Sequence, residues 1–225
     1  CKSFVDKNNN KRLNHYYNLN YKSNVPKVIN NINLKMSEIY KKRIDRIGLN
    51  KSGLNHDFSI RADKRNILNS IDKTMLNLIY SSYDKSSRLL DFSYGMGQVC
   101  FALENLDFNS IYRSENNLIR FHALLEIKEK LESKIIFENA DFRNIDLSKF
   151  DVIFSADSKN KILGINEYEL FTNIIYQKVD LILPFNNYGE NNIIFENLNS
   201  NKNISYKKIY TDDYLCCLYK YSFVN

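Results

Sequence analysis

The fold class follows from residues 88–98, which read RLLDFSYGMGQ. An apolar run ends there in Asp91, and Gly95 and Gly97 come next with one residue between them. Because glycine has no Cβ, two glycines let the backbone pass close to a ligand. Residues 99–106 return to helical spacing, so a helix would begin just after the glycines and present its N-terminal amides to that ligand. A strand, a glycine loop and a helix in this order predict a ligand site at the carboxyl edge of a parallel sheet.

The chain on either side of this loop alternates between helix and strand patterns. Apolar residues recur at helical spacing over residues 64–82, 99–106, 117–133 and 167–177. Short apolar runs typical of strands lie at residues 88–92, 110–113, 135–139, 150–155 and 179–185. Two further runs, 204–210 and 214–223, are separated only by a three-residue polar turn and must therefore be antiparallel neighbours. These patterns predict a doubly wound α/β sheet of about seven strands, mostly parallel with an antiparallel terminal strand.

The positive charge of the chain is concentrated at its N-terminal end. The 225 residues include 32 lysines and arginines and 26 acids, which gives a net charge of +6. Residues 1–46 contain eleven basic and three acidic residues, a net charge of +8, so the rest of the chain carries −2. A basic, polar segment of this kind is typical of a solvated leader that is partly helical or disordered. The alternative is an arm that holds an anionic partner, either nucleic acid or an acidic membrane surface.

The sequence favours neither a membrane-spanning protein nor a metal site. No stretch approaches the ~20 apolar residues needed to cross a bilayer, so we expect no transmembrane span. The cysteines are Cys1, Cys100, Cys216 and Cys217. None forms a CxxC pair, and the histidines lack a carboxylate at metal-site spacing, so we predict no metal and no disulfide framework. We expect a cytoplasmic protein, and lipoprotein-type anchoring through an acylated Cys1 is the alternative.

Acids follow the second and third predicted strands. Glu115 comes just past the second strand, twenty residues after Gly95, where a carboxylate can accept hydrogen bonds from both hydroxyls of a ribose. Asp141 follows the third strand, where a carboxylate can accept a hydrogen bond from an exocyclic amine. Together with the glycine loop, these acids indicate a cofactor that contains a nucleoside.

Residues 88–98 resemble the first motif of class I S-adenosylmethionine-dependent methyltransferases. Residues 139–155, NADFRNIDLSKFDVIFS, are similar to the segment of that family that contacts adenine and runs into the fourth strand. The closing pair of strands is also typical of this fold. The resemblance covers residues 64–225 and implies a Rossmann-like methyltransferase domain, which we place at 59–225 behind a basic N-terminal segment of residues 1–58.

The resemblance implies that S-adenosylmethionine is the cofactor. Six residues would bind it: Asp91, Gly95, Gly97, Glu115, Asp141 and Phe142. Asp91 and the two glycines would line the methionine and ribose portions, and Glu115 would hold the ribose hydroxyls. Asp141 would hydrogen-bond to the adenine, and Phe142 would pack against it.

The resemblance also implies where the acceptor of the methyl group would lie. Ser155 and Asp157, at the end of the fourth strand, would face the transferred methyl, with Asp157 as the candidate catalytic base. From their positions after strands, and not from the resemblance, Lys159, Asn160 and Tyr188 are candidates to bind the substrate; the alternative is that they belong to ordinary turns. The basic N-terminal segment would favour an anionic acceptor such as nucleic acid.

Two other interpretations compete with an active methyltransferase. A dehydrogenase with a nicotinamide cofactor also uses a glycine loop and a distal acid, but an acid such as Asp91 just ahead of the loop is unusual there. Ser93 and Tyr94 stand where the methyltransferase motif usually has a glycine and a small residue. They favour the alternative of a catalytically decayed binding or scaffold subunit, because Tyr94 would fill part of the cofactor pocket.

Overall fold

The computed structural model describes residues 70–93, 97–156, 165–186, 193–210 and 216–224. The helices in these ranges are α1 Ser70–Ser82, α2 Gln98–Glu104, α3 Leu118–Lys130, α4 Ile165–Tyr176 and α5 Ile193–Ser200. The strands are β1 Leu89–Asp91, β2 Ile111–Ser114, β3 Ile136–Glu138, β4 Val152–Phe154, β5 Asp180–Asn186, β6 Ile204–Tyr210 and β7 Cys216–Phe223. None of these helices is long and apolar enough to cross a membrane. The predicted basic segment, residues 1–58, and the domain boundary at residue 59 lie outside the described residues.

The strands form one mixed sheet in the order β3-β2-β1-β4-β5-β7-β6. Neighbours among the first five strands pair in parallel. β7 is antiparallel to both of its neighbours, β5 and β6. The predicted mostly parallel sheet with an antiparallel terminal strand is therefore confirmed, and so is the antiparallel pairing of the last two strands.

Different helices cover the two faces of the sheet. Consecutive residues of a strand point to opposite faces, so each central strand supplies two apolar clusters. Leu89 belongs to the cluster that contains Met75 of α1 and Phe101 of α2. Leu90, the next residue, belongs to the cluster that contains Phe171 of α4 and Leu198 of α5. A sheet buried on both faces is the doubly wound arrangement that the sequence predicts.

The sequence patterns do not predict α5, which lies between β5 and β6. This helix has only eight residues, and among those whose burial is described Ile194 and Leu198, one turn apart, are fully buried. Two residues at this spacing give little periodic signal. Short helices are stabilised by the surface they pack on more than by their own propensity, and that surface does not show in the local sequence.

The strand order brings the predicted site residues to one edge of the sheet. β3, β2, β1 and β4 are parallel neighbours, so their carboxyl ends meet at the same edge. The residues at or after these ends are Asp91 on β1, Glu115 after β2, Asp141 after β3 and Ser155 after β4. The chain thus gathers at this edge residues that are far apart in the sequence.

An exposed ion pair joins β1 and β4 at the opposite edge. The Asp151 carboxylate accepts hydrogen bonds from the Arg88 backbone amide at 2.8 Å and from its Nη2 atom at 2.6 Å. The Arg88 side chain is 52% exposed, and the Asp151 side chain is 43% exposed. The side-chain hydrogen bond from Arg88 lowers the pKa of the Asp151 carboxyl.

We expect Asp151→Asn to lower the free energy of unfolding by less than about 1 kcal/mol at neutral pH, because exposed ion pairs contribute little. Folding lowers the pKa of Asp151 below its unfolded value of about 4. The ion pair therefore stabilises the folded protein above that pH, and this stabilisation is lost as the pH falls through the pKa of the folded state. Urea unfolding of parent and variant at neutral pH and at about pH 3 measures the difference. A difference that grows on acidification would contradict this account.

Candidate functional site

Asp91, the last residue of β1, is a buried carboxylate whose oxygens are all engaged by the protein. Its side chain is 1% exposed. Oδ1 accepts hydrogen bonds from the Ser93 amide, at 2.7 Å, and from the Ser93 hydroxyl. Oδ2 accepts from the Cys100 thiol, at 3.0 Å, and from Nη1 of Arg113. Burial, with the charge of Asp91 beside it, raises the pKa of the Cys100 thiol, which therefore stays protonated and donates.

Arg113 on β2 is the cation that balances Asp91. The two residues stand side by side in the parallel register of β1 and β2, and the Arg113 side chain is also 1% exposed. Its Nη2 atom donates to the carbonyl oxygen of Ser93 at 2.7 Å and lies 3.8 Å from Oε2 of Glu115. One buried guanidinium therefore contacts the end of β1, the loop after it and the acid after β2.

Ser93 links the loops that follow β1 and β4. Its hydroxyl donates to Asp91 and accepts a hydrogen bond from the Ala156 amide at 2.7 Å. Among the described residues other than glycine, a positive φ occurs at Asp107, Glu132 and Lys178. Ser93 therefore does not need the conformational freedom of the glycine that the family motif usually has at this position.

Gly97, in contrast, occupies a position where a side chain would be strained. Its φ is +73°, in the left-handed region that L-residues with a Cβ rarely adopt. A Cβ atom there would stand 3.1 Å from Cδ2 of Leu124 and 3.4 Å from Cε2 of Phe101. The second glycine of the loop is thus required both by the backbone conformation and by the close approach of α3.

Glu115, the predicted ribose acid, is held in a fixed position just after β2. Its buried carboxylate accepts hydrogen bonds from the Asn117 amide at 2.8 Å and from Nε and Nη2 of Arg120 at 3.0 and 3.1 Å. Its backbone carbonyl accepts from Nδ2 of Asn139 at 2.7 Å, which ties it to the loop after β3. Sequence reasoning finds Glu115 but misses both arginines beside it.

The predicted adenine segment, residues 139–155, contains a 3₁₀ turn at Phe142–Asn144. Asp141 caps this turn and also pairs with Arg143, whose side-chain hydrogen bond lowers the pKa of the Asp141 carboxyl. The Phe142 ring stacks on Phe92 with a centroid separation of 4.5 Å, and it lies 6.1 Å from the Phe171 ring. Phe142 is half-buried in this aromatic group, at the same sheet edge as Glu115.

Only part of the predicted substrate side falls within the described residues. Ser155 is buried, and its amide donates to the carbonyl of Ile182 at 3.1 Å, so it continues the pairing of β4 with β5. Six residues named from the sequence lie outside the described ranges: Tyr94, Gly95, Asp157, Lys159, Asn160 and Tyr188. Their roles stay predictions. Within the part that the structure describes, no group of three metal-ligating side chains occurs.

Comparisons with known proteins identify the fold. The amino-acid sequence matches no protein-family model and no curated protein. An rRNA methylase from Streptococcus thermophilus superposes with a TM-score of 0.52 at 12% identity, over 70% of this chain and 98% of that one. A ribosomal protein L11 methylase from Lactobacillus delbrueckii subsp. bulgaricus gives a TM-score of 0.52 at 15% identity, over 69% and 77%. The chain has the class I methyltransferase fold.

The likeness confirms the fold implied by the resemblance of residues 88–98. Within this methyltransferase fold, the edge formed by β3, β2, β1 and β4 carries a connected set of polar contacts. Arg113 contacts the carboxylates of both Asp91 and Glu115. Ser93 links the loops after β1 and β4, and Asn139 links the loops after β2 and β3. The described part of the edge is therefore a pre-arranged surface whose loops hold one another in place.

Removing Arg113 from this methyltransferase fold should destabilise it strongly. We expect Arg113→Met to lower the free energy of unfolding by about 3–5 kcal/mol, because it leaves the buried carboxylate of Asp91 without its counter-charge. Arg88→Met is the matched control, since it breaks an exposed arginine–aspartate pair and should cost less than about 1 kcal/mol. Urea unfolding of the three proteins measures both values. Equal, small effects of the two substitutions would show that the buried pair is not required.

Proposed function

We propose that the chain is an S-adenosylmethionine-dependent methyltransferase that binds its cofactor at the carboxyl edge of β1, β2 and β3. The observation that carries the proposal is the placement of Glu115. In a fold shared with solved methylases, this carboxylate is fixed directly after β2 and lies 3.8 Å from Arg113, which also holds the Ser93 carbonyl after β1. A carboxylate is a pure acceptor and suits a pair of ribose hydroxyls, which both donate.

The residues present fit the rest of the cofactor as well. Gly97 has a positive φ and leaves no room for a Cβ beside Leu124, so it fixes the backbone turn that leads into α2. Phe142 and Asp141 would meet the adenine with an aromatic face and a carboxylate. Asp91, whose acceptor positions are all filled from within the chain, would act as a positioning residue that fixes the glycine loop.

Methyl transfer makes limited chemical demands on such a site. When bound, S-adenosylmethionine supplies a methyl group that its sulfonium already activates. The chain would hold the acceptor atom in line with that methyl at about 3–3.5 Å and exclude water. A base is needed only where the acceptor must lose a proton, and Asp157, just beyond β4, is the residue we propose for it.

The first test is calorimetric titration of S-adenosylhomocysteine, the demethylated product, into the full chain, with NAD as the competing ligand. We expect binding of S-adenosylhomocysteine and none of NAD. Glu115→Gln should weaken the binding about tenfold or more, because charge-assisted hydrogen bonds to the ribose are lost. Glu126→Gln, on the exposed face of α3, is the matched control and should leave the affinity unchanged.

The decayed-scaffold alternative predicts a different result in the same titration. There the parent would bind no S-adenosylhomocysteine, and Tyr94→Gly would gain binding by opening the pocket. Ser93 gives this alternative little support, because its backbone is unstrained and its hydroxyl fills a defined place between Asp91 and Ala156. Absence of binding in the parent, in the presence of a cooperative thermal transition, would overturn the methyltransferase proposal.

For the methyl acceptor we propose RNA. The support is the net charge of +8 on residues 1–46, which suits a polyanion, and one of the structurally similar proteins is an rRNA methylase. Replacing three clustered basic residues by Gln should lower the incorporation of labelled methyl groups into RNA and make it less sensitive to salt. The three residues are Lys41, Lys42 and Arg43.

A matched triple variant separates this effect from a general loss of charge. Its three Gln substitutions replace exposed lysines outside the N-terminal segment: Lys134, Lys149 and Lys202. This variant should methylate RNA as the parent does. An equal loss of activity in both triple variants, or incorporation into protein and not RNA, would contradict the proposed acceptor.

A further inference from the structure

Groups of the chain itself already occupy most of the acceptor positions of the Glu115 carboxylate. An ionised carboxylate offers about four acceptor positions, two on each oxygen. Oε1 accepts from the Asn117 amide at 2.8 Å and from Nη2 of Arg120 at 3.1 Å. Oε2 accepts from Nε of Arg120 at 3.0 Å and faces Nη2 of Arg113 at 3.8 Å. Two ribose hydroxyls can therefore donate to Glu115 only if some of these groups move away.

Two of the three neighbours are fixed. The Asn117 amide belongs to the backbone at the start of α3, where the Asn117 side chain also accepts from the Arg120 amide at 3.0 Å. Arg113 is fully buried and holds Asp91 and the carbonyl of Ser93 with the same guanidinium. Moving either group would break the helix cap or expose a buried pair.

Arg120 is the neighbour that can leave. Its side chain is 21% exposed and projects from the first turn of α3, whereas the Glu115 side chain is 3% exposed. A rotation about the side-chain bonds of Arg120 carries its guanidinium toward water and leaves its backbone amide on the Asn117 side chain. Its departure frees one position on each oxygen of Glu115, which matches the two hydroxyls of a ribose.

From this geometry we propose that Arg120 competes with the cofactor's ribose for Glu115 and so sets the affinity of the site. The proposal rests on the proposed function, in which Glu115 is the ribose acid. Without ligand, Arg120 satisfies a buried carboxylate that would otherwise be costly to desolvate. When the cofactor binds, its ribose hydroxyls replace the Arg120 guanidinium. The free energy of the broken Arg120–Glu115 ion pair then reduces the net free energy of binding.

Titration of S-adenosylhomocysteine into the full chain and into Arg120→Gln tests the competition. Losing the displaced pair should tighten binding by roughly 3- to 30-fold in the variant. Arg120→Lys, which keeps the charge but cannot make the bidentate contact, should fall between the two proteins. Because Arg120→Lys perturbs the site less, it also provides the test if Arg120→Gln does not fold.

Two controls separate competition from a general structural effect. Arg88→Gln removes an arginine from a carboxylate pair at the opposite edge of the sheet and should leave the affinity unchanged. The second control is an analogue of S-adenosylhomocysteine that lacks both ribose hydroxyls. The analogue has no hydroxyls to donate to the Glu115 carboxylate, so the parent and Arg120→Gln should bind it equally. A general structural change in the variant would alter the binding of this analogue as well.

The outcomes distinguish this inference from the proposed function. If the parent binds S-adenosylhomocysteine and Arg120→Gln binds it equally or more weakly, Arg120 does not compete and the inference is wrong. The inference is also wrong if Arg120→Gln raises the affinity for the analogue without hydroxyls as much as it raises the affinity for S-adenosylhomocysteine. If neither the parent nor any Arg120 variant binds the natural product, the proposed function itself fails.

Discussion

The contact between Asp91 and Arg113 is the constraint on which the candidate site depends. Both groups are almost completely removed from water, where an unpaired charge would cost several kcal/mol. Their oppositely charged neighbours, Glu115 and Arg120, complete a cluster of two acids and two arginines with no net charge. The loop after β1, the end of β2 and the start of α3 can be close together because these charges cancel.

The sheet topology explains why such a cluster forms at this place. β1 and β2 are parallel neighbours that are each paired on both sides within the sheet, and their register sets Asp91 beside Arg113. The helices that follow the strands pack on the two faces of the sheet, so both faces are buried and the polar residues gather at the carboxyl ends. A buried scaffold thus supports a polar edge, and the polar groups of that edge are satisfied by one another.

The sequence predicts the scaffold better than the site. Apolar runs and helical spacing predict the seven strands and their mostly parallel arrangement, because strands buried on both faces appear as continuous apolar runs between helical segments. Glu115 and Gly97 are found from their distance to the first strand. Arg113 and Arg120 are not, since their roles arise from strand register and from side-chain reach between elements, which no local pattern records.

Other departures have similar physical reasons. The helix Ile193–Ser200 is too short to show a period, and only its packing against the sheet defines it. Asp141 is predicted as an adenine contact from its position after the third strand, but its pairing with Arg143 depends on the turn that begins at Phe142. Ser93 departs from the family motif, yet its hydroxyl takes a place in the hydrogen-bond network that a glycine could not fill.

The hydrogen bond from the Ala156 amide to the Ser93 hydroxyl has a thermodynamic consequence. It makes one oxygen atom shared by the loop after β1 and the loop after β4. A ligand that displaces Ser93 removes the hydrogen-bond acceptor of the Ala156 amide. If such a ligand changes the affinity of the β4 side for a second ligand, then by linkage the second ligand changes the affinity of the β1 side for the first by the same factor.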